Sequence, residues 1–507
     1  MASTSTHPCL KNLLKDHAVL CVYGVAEGGL YHQLKSWLKQ EEHYLIFVEE
    51  DEEVFLHAKQ LPLAKDPQVR LWFYKKGDQA IFSQIAWEFL FLKMAYFPLF
   101  EGRGVDFFKE LEHFQNAATL LASDWRDRGE QVLRNLVHNM QFFHSAVCGD
   151  SLKDACRGMP AIICGAGPSL STVAPHLADL KNHALLFAGG TAVNALNAQG
   201  ILPHLSAYVD PHPPRDRFMA QQSFEIPCFY QSRFSSELLS AYHGQRIWMA
   251  GTGNYPIEEW LAAACGISVE EKDTGWTVAT FCVHAALHLG CNPIVLAGMD
   301  FCCTPDAIYA SGVQGEENRE QLICIKDEQG NTWHSKRDWL MSGQWISETA
   351  AAHPDRTWIN LSHGIPIQGI KKCDLSHAAR AYFTHAFDSD AHLFSALQQA
   401  QHLNSDEDKI SSITDELKNS FKNCLNYCDQ LLALWQKTFP QSPLSTPEYA
   451  LIEVDMDTEV CSQHFLTPLW NMWKHPILRK QDHPLGQHLH RILFYKNALE
   501  SIIQVLP

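Results

Sequence analysis

Two aspartates and one glycine turn are the residues of this chain most able to do chemistry. Asp210 follows the apolar segment "HLSAYV", and Asp300 follows the longer apolar segment "PIVLAGM". The turn "GAGPSL", which begins at Gly165, follows a third apolar segment, "AIIC". In an open parallel sheet the strands' carboxyl ends share one edge, where ligands bind. The pattern therefore predicts that these three features converge at one edge of a sheet.

Carboxylates at such an edge have several possible tasks. Asp210 and Asp300 could hold Mg²⁺, orient a substrate hydroxyl, or act as a base. The other interpretation is that one or both cap the turn or helix that follows. The bond to Pro211 makes that second interpretation reasonable for Asp210. Both interpretations stay open here, with function favoured for the pair.

The glycine turn is predicted to bind phosphate. Proline is well tolerated in the first turn of a helix, where its missing N–H costs nothing, and free N–H groups at a helix start attract phosphate. A dinucleotide fingerprint would need a third glycine where this chain has Leu170, and the next strand, "HALLFAGG", ends without an acid. The sequence thus argues against a dehydrogenase but keeps phosphate binding. The predicted phosphate ligands are Gly165, Ala166, Gly167, Pro168 and Ser169.

The segment "TWHSK" adds a candidate base. His334 could exchange a proton near neutral pH, with Ser335 beside it, and Lys336 could neutralise a phosphate. The other interpretation of His334 is an ordinary exposed loop histidine. His284 and His288 lie four residues apart on a predicted helix, but the nearby sequence offers no further zinc ligands, so no metal site is expected there.

Composition limits the class of protein. A length of 507 residues suggests two or three domains, and the net charge of −17 argues against a nucleic-acid binder. The start lacks the pattern of a signal peptide and the cysteines are scattered, so a cytoplasmic protein is expected. The apolar stretch Ala80 to Phe100 contains Glu88 and Lys93. We expect it to form a buried or partner-facing helix, with no transmembrane segment.

The predicted fold class is α/β, with two Rossmann-like parallel-sheet domains followed by a helical C-terminal region. The expected parts are a Rossmann-like domain over 1–105, a helical connector over 106–150, a nucleotide-binding transferase domain over 151–374, and helices over 375–507. Glu49 ends the second strand, where an acid can meet a ribose. The glycine spacing of that first domain is not the dinucleotide one, so a domain without ligand is favoured there.

Several motifs together resemble a known family. "GAGPSL", "VDP", "TGW", "LGCNPIVLAGMDF", "YASG", "GNTWHS" and "HGIPIQG" occur in this order. The set resembles the motility-associated-factor (Maf) family, also described as 6-hydroxymethylpterin diphosphokinase MptE-like. The resemblance covers about Phe107 to Lys372. The central part is also similar to bacterial sialyltransferases that use CMP-sialic acid, although those have asparagine where this chain has Ala166.

The resemblance implies roles for particular residues. His334 corresponds to the sialyltransferase base, and Asp210 and Asp300 would be catalytic or would bind Mg²⁺. Thr274 and Gly275 would join the nucleotide site. Substrate contacts would come from Tyr309, Ser335, Lys336 and His363.

The resemblance also implies two chemistries. The first is transfer of a nonulosonic, sialic-like acid from a CMP-sugar to a hydroxyl of a protein acceptor. The second is Mg²⁺-dependent transfer of diphosphate from ATP to 6-hydroxymethyl-7,8-dihydropterin. The chain is long for a pterin enzyme, which favours the first. A non-catalytic scaffold that retains the fold is the third possibility.

Overall fold

The computed structural model describes residues 10, 13–214, 221–251, 255–268, 272–313, 319, 322–326, 330–403, 406–479, 484–504 and 506. Contacts divide the chain into two compact units. The first unit contains residues 1–123, 432–443 and 467–495, and the second contains 124–431, 444–466 and 496–507. The helices of the predicted C-terminal region are therefore divided between the two units.

The first unit contains a four-stranded parallel sheet in the order β3-β2-β1-β4. Its strands are β1 (Val19–Tyr23), β2 (Tyr44–Glu49), β3 (Val69–Phe73) and β4 (Met94–Pro98). Helices α1 (Gly29–Leu38), α2 (Glu52–Ala58) and α3 (Ala80–Glu88) connect them. The prediction of one helix from Ala80 to Phe100 is wrong, since the helix ends at Glu88 and the rest supplies β4. Among the described residues, no helix is both long enough and apolar enough to cross a bilayer.

Glu49 has a structural task in this unit. Its carboxylate accepts hydrogen bonds from the backbone N–H groups of Val25 (3.1 Å), Glu50 (3.0 Å) and Asp51 (3.1 Å). It is 6% exposed. The carboxylate therefore joins the turn after β1 to the start of the next helix, and three of its about four acceptor positions are used within the protein.

The second unit is built on a nine-stranded sheet, in the order β15-β14-β11-β6-β7-β8-β9-β10-β5, in which every pair is parallel. Its strands are β5 (Val147–Cys148), β6 (Ala161–Cys164), β7 (Leu185–Gly189), β8 (Leu205–Tyr208), β9 (Cys228–Tyr230), β10 (Arg246–Trp248), β11 (Ile294–Ala297), β14 (Trp358–Asn360) and β15 (Lys371–Lys372). A separate antiparallel hairpin joins β12 (Ile323–Lys326) to β13 (Thr332–Ser335).

The remaining α-helices are α4 (Val105–Asn139), α5 (Leu170–Val173), α6 (Thr191–Asn197), α7 (Ser236–Ser240), α8 (Pro256–Ala264), α9 (Val278–His288), α10 (Arg337–Ala352), α11 (Leu375–Tyr382), α12 (Ser389–Gln399), α13 (Glu407–Thr438), α14 (Pro447–Thr458), α15 (Thr467–Leu478) and α16 (Pro484–Ile503). Single 3₁₀ turns occupy Pro62–Lys65, Met140–Ser145, Gly149–Leu152, Ala174–His176, Ala178–Leu180, Gln221–Phe224 and Pro443–Ser445, and Ser462–Leu466 is a π-turn.

The order of the large sheet explains where its site lies. The chain builds outward from β6 through β7, β8 and β9, then returns to place β11 on the other side of β6. The connections after β6 and β11 consequently diverge and leave a crevice at the strands' carboxyl ends. Strands β6 and β11 are buried along their whole length, as expected for the centre of a parallel sheet. Parallel sheets and a helical C-terminal region confirm the predicted α/β fold class.

Candidate functional site

A cavity of about 240 Å³ lies at this crevice, entirely within the second unit. Its walls are formed by the segments that follow β6, β7, β8 and β11, together with the first turns of α9 and α10. Gly165, Asp210 and Asp300 all line it, so the structure brings together the three features that the sequence predicted to converge. Its lining includes Ala166, Asp210, Val278, Ala279, Asp300, Tyr309, Asp338 and Trp339.

The glycines of the turn after β6 are required by close backbone packing. A Cβ on Gly165 would lie 2.6 Å from the carbonyl oxygen of Gly298, and a Cβ on Gly167 would overlap the Asp300 carboxylate. The N–H groups of Gly165 and Gly167 donate to the carbonyls of Ala297 (2.8 Å) and Gly298 (2.9 Å). The turn is therefore fastened to the end of β11. In this structure those two N–H groups serve the protein and are not directed at a ligand.

Ser169 is likewise committed to the protein. Its N–H donates to Asp300 Oδ2 at 2.8 Å, and its hydroxyl donates to Asp300 Oδ1 at 2.6 Å. The helix that follows, α5, is only four residues long. Pro168 has no N–H, so within the described residues only Ala166 of the predicted phosphate ligands keeps a backbone N–H without a partner. The predicted phosphate cradle is thus reduced to one donor.

The Asp300 carboxylate joins two loops. Besides both donors of Ser169, its Oδ1 accepts the N–H groups of His363 (3.0 Å) and Gly364 (3.1 Å). Asp300 is 4% exposed. A carboxylate has about four acceptor positions, and four are used here. The geometry gives Asp300 a positioning role between the turns after β6 and β14, while its predicted catalytic role stays a prediction. The His363 side chain is exposed and does not line the cavity, so its contribution is its backbone N–H.

Asp210 is half-buried and keeps a face toward the cavity. Its Oδ1 accepts the N–H of His212 at 3.0 Å, which is the turn-capping interaction that the sequence left open. The same oxygen lies 3.5 Å from Arg128 Nη1 of α4. Asp210 therefore combines a local cap with an ion pair at the cavity wall, and its predicted catalytic role is untested.

Asp210 and Asp300 together do not fit a resident Mg²⁺ ion. N–H and O–H donors occupy the acceptor positions of Asp300, and Asp210 is paired with a guanidinium. A magnesium ion would need oxygen lone pairs in these places. In the part of the chain that the structure describes, no group of three or more histidine, cysteine or acidic side chains is arranged to hold a metal.

Helix α9 brings the cavity a better anion site than the glycine turn. Its N-cap is Thr277, whose hydroxyl accepts the N–H of Thr280, while the Thr280 hydroxyl accepts the N–H of Thr277. The N–H groups of Val278 and Ala279 have no partner among the described residues, and both residues line the cavity. Free N–H groups at the start of an 11-residue helix favour a phosphate.

Two predicted nucleotide ligands lie beside the cavity wall. Thr274 is buried and accepts a hydrogen bond from Gln231 Nε2 at 2.9 Å. Gly275 adopts a positive φ of 74° and donates its N–H to Asp273. Neither lines the cavity. They shape the turn that leads into α9, and Thr277 is the residue of this segment that reaches the cavity.

An aromatic pair forms another part of the wall. The rings of Tyr309 and Trp339 meet edge to face with centroids 6.3 Å apart. Lys336 Nζ lies 5.0 Å from the centroid of the Trp339 ring. Tyr309 lines the cavity, its predicted contact with a substrate stays a prediction, and Lys336 adds positive charge beside Trp339. A flat, weakly polar ligand such as a nucleobase suits an aromatic wall.

The predicted base, His334, does not line the cavity. His334 lies in the middle of β13, with its side chain exposed and outside the cavity lining. Its carbonyl accepts the N–H of Cys303 at 2.9 Å. Ser335 is fully buried, and its hydroxyl donates to the Phe301 carbonyl at 2.6 Å. In this structure Ser335 therefore fastens the hairpin to the end of β11, and both predicted roles remain untested.

Asp338 is a cavity residue that the sequence reasoning missed. It lies in the first turn of α10 and lines the cavity. Burial raises the pKa of Asp338, while Lys336 and Arg128 oppose the rise. The signal in the sequence that could have identified Asp338 is its place four residues after His334, the predicted base.

Two buried asparagines on α4 position the loops around the cavity. Asn135 Nδ2 donates to the carbonyls of Pro211 and Arg233, each at 3.0 Å. One helical turn later, Asn139 Nδ2 donates to the carbonyls of Ser232 (2.8 Å) and Phe234 (2.7 Å). The predicted connector therefore holds the segments after β8 and β9, and Phe234 belongs to the cavity wall.

Comparisons with known proteins identify a similar family and a similar fold. Residues 131–306 match the family described as 6-hydroxymethylpterin diphosphokinase MptE-like. A solved structure, a MAf glycosyltransferase from Magnetospirillum magneticum AMB-1, shares the fold with a TM-score of 0.54 at 12% identity, over 99% of this chain and 83% of that chain. No curated protein matches the sequence. The expected resemblance to the Maf and MptE-like family is thereby confirmed, for the MptE-like sequence over residues 131–306 and for the Maf fold over nearly the whole chain.

Proposed function

We propose that this Maf/MptE-like chain is a transferase that moves a nonulosonic acid from a CMP-sugar to a hydroxyl group of a protein acceptor in the cytoplasm. The observation that carries the proposal is the opening of α9 into the cavity. The unpartnered N–H groups of Val278 and Ala279 offer the donors that a nucleotide phosphate needs. A crevice at the switch point of a parallel sheet is the usual place for such a ligand.

The other walls suit the remaining parts of the donor. The aromatic residues Tyr309 and Trp339 line the cavity and suit a base, and the carboxylate of Asp210 can accept a hydrogen bond from a sugar hydroxyl. The cavity volume is slightly below the range of about 300–1,000 Å³ typical of small-molecule pockets, so we expect part of the donor to extend past the described walls.

Transfer of a sugar is favoured over transfer of diphosphate by the extent of the likeness. The match to the solved glycosyltransferase covers 99% of this chain, whereas the pterin diphosphokinase-like match is confined to residues 131–306. The poor fit of Asp210 and Asp300 to Mg²⁺ points in the same direction. The family description nevertheless makes Mg²⁺-dependent diphosphate transfer from ATP to 6-hydroxymethyl-7,8-dihydropterin the second candidate.

Ligand-induced stabilisation distinguishes the two. A ligand that binds only the folded protein stabilises it by about 2.7 kcal/mol when present at ~100 times its Kd. We expect CMP to raise the thermal transition of the full chain, with or without EDTA. Stabilisation by ATP with Mg²⁺ but not by CMP would support the diphosphokinase. An unchanged transition with both nucleotides would support the non-catalytic scaffold.

A further inference from the structure

The three aspartates of the cavity differ in what already binds them. Asp300 accepts four hydrogen bonds from two loops, and Asp210 is capped by His212 and paired with Arg128. The Asp338 carboxyl accepts hydrogen bonds only from N–H groups of its own helical turn, with none from another element within the described residues, and the charges of Lys336 and Arg128 act on it. It is therefore the carboxyl group of this wall that is most open to a new partner.

The surroundings of Asp338 suit proton transfer. Burial raises its pKa, and a carboxylate with a raised pKa binds a proton more readily than an exposed one. Arg128, which also faces Asp210, and Lys336 limit that rise. The neighbouring residue, Trp339, forms part of the same wall, so Asp338 lies beside the surface that we assign to the donor.

We propose that Asp338 is the catalytic base that accepts the proton of the acceptor hydroxyl, an inference that rests on the proposed function. The acceptor O–H gives its proton to the Asp338 carboxylate, and its oxygen forms a bond to the anomeric carbon of the donor sugar. The bond from that carbon to the phosphate oxygen breaks, and its electron pair leaves with CMP. Charge on the departing phosphate is met by the N–H groups of Val278 and Ala279.

This assignment differs from the one that sequence resemblance implies. The exposed His334 is not part of the cavity wall, whereas Asp338 is. His334 belongs to strand β13 of the hairpin, whereas Asp338 lies in the first turn of α10, which follows that hairpin. The base function would thus have moved along the chain to the residue that faces the cavity.

The test compares single-residue variants of the full chain. With CMP-N-acetylneuraminic acid as donor and water as the acceptor, the release of CMP is measured for the wild type, Asp338→Asn, His334→Ala and Asp355→Asn. Asp355 is an exposed carboxylate just beyond the other end of α10 and serves as the matched control. General base catalysis contributes roughly 10²–10⁴-fold, so we expect Asp338→Asn to release CMP at least 100-fold more slowly. Its Kd for CMP should stay within about threefold of the wild-type value, because the substitution keeps the shape of the side chain.

Three results would overturn the assignment. They are wild-type turnover by Asp338→Asn, a parallel loss of CMP binding in that variant, and a loss of turnover in His334→Ala equal to that expected for Asp338→Asn. A wild-type protein that neither binds CMP nor releases it would instead refute the proposed function, so the two failures are distinguishable.

Discussion

The substitution Asp300→Asn tests whether Asp300 positions the loops around the cavity, because a positioning role predicts a loss of stability that a purely chemical role does not. In the native structure both carboxylate oxygens accept protein donors, one from the Ser169 N–H and three from the Ser169 hydroxyl and the N–H groups of His363 and Gly364. Asparagine keeps the shape but replaces one acceptor oxygen with a donor NH₂ group. In either orientation of the amide, at least one buried N–H then faces another donor.

The expected cost follows from that count. A hydrogen bond to a charged group contributes about 1.5–3 kcal/mol, and an unsatisfied buried donor costs about 1–3 kcal/mol. In the better amide orientation one bond is lost at Oδ2 and three are weakened. We therefore expect Asp300→Asn to lower the free energy of unfolding by about 2–3 kcal/mol. The opposite orientation, which loses three bonds, would cost more.

The assay is urea unfolding combined with amide hydrogen exchange. Exchange at Ser169, His363 and Gly364 should accelerate in Asp300→Asn, because these N–H groups lose their acceptor or its charge. Asp306→Asn, at an exposed carboxylate six residues later, is the control and should leave both measurements unchanged. A change below about 0.5 kcal/mol, the usual limit for neutral surface substitutions, with unaltered exchange would refute the positioning role.

Three further predictions concern the frame of the site. Gly167→Ala should destabilise the protein by roughly 1–3 kcal/mol in urea unfolding, because the added Cβ would overlap the Asp300 carboxylate. Gly29→Ala is the control, since nothing lies within 4 Å of a Cβ at that position. Equal effects of the two substitutions on the free energy of unfolding would contradict the packing argument. Asn139→Ala should cost about 2–3 kcal/mol, since two buried carbonyls lose their donor, and unchanged stability would show that water replaces it. Burial raises the pKa of Glu258 from 4.5 to about 7. The folded state therefore holds this proton more tightly, and the resulting stability is complete below pH 4.5 and lost as pH rises through 7. That loss amounts to about 3 kcal/mol at 1.36 kcal/mol per pH unit. Glu258→Gln should remove this part of the pH dependence between pH 4.5 and 7, and identical slopes in urea unfolding would refute it.

The sequence predicted the frame of the site better than its details. The convergence of Gly165, Asp210 and Asp300 follows from strand direction alone, because parallel strands that end in polar residues share an edge. The strand β4 was missed because its apolar residues continue the pattern of the preceding helix, and periodicity cannot separate a short strand from such a helix.

The roles of individual residues depended on partners far along the chain. Gly167 looks like a phosphate-binding glycine until Gly298 and Asp300 are seen to occupy its surroundings. Similarly, Asn139 reads as a polar helix residue, and only tertiary packing shows that it holds the loop beside the cavity. Local patterns carry no information about such contacts.

The central claim is that a nucleotide phosphate binds at the start of α9, and the affinity for CMP of two isosteric variants tests it most directly. Ala279→Asp places a carboxylate among the proposed phosphate donors, and negative charge near a helix N-terminus does not weaken the helix. Two like charges about 5 Å apart at an effective dielectric constant of 20 repel by roughly 3 kcal/mol, so isothermal titration calorimetry should show CMP binding at least tenfold weaker than in Ala279→Asn. Equal affinity of the two variants for CMP would contradict the claim.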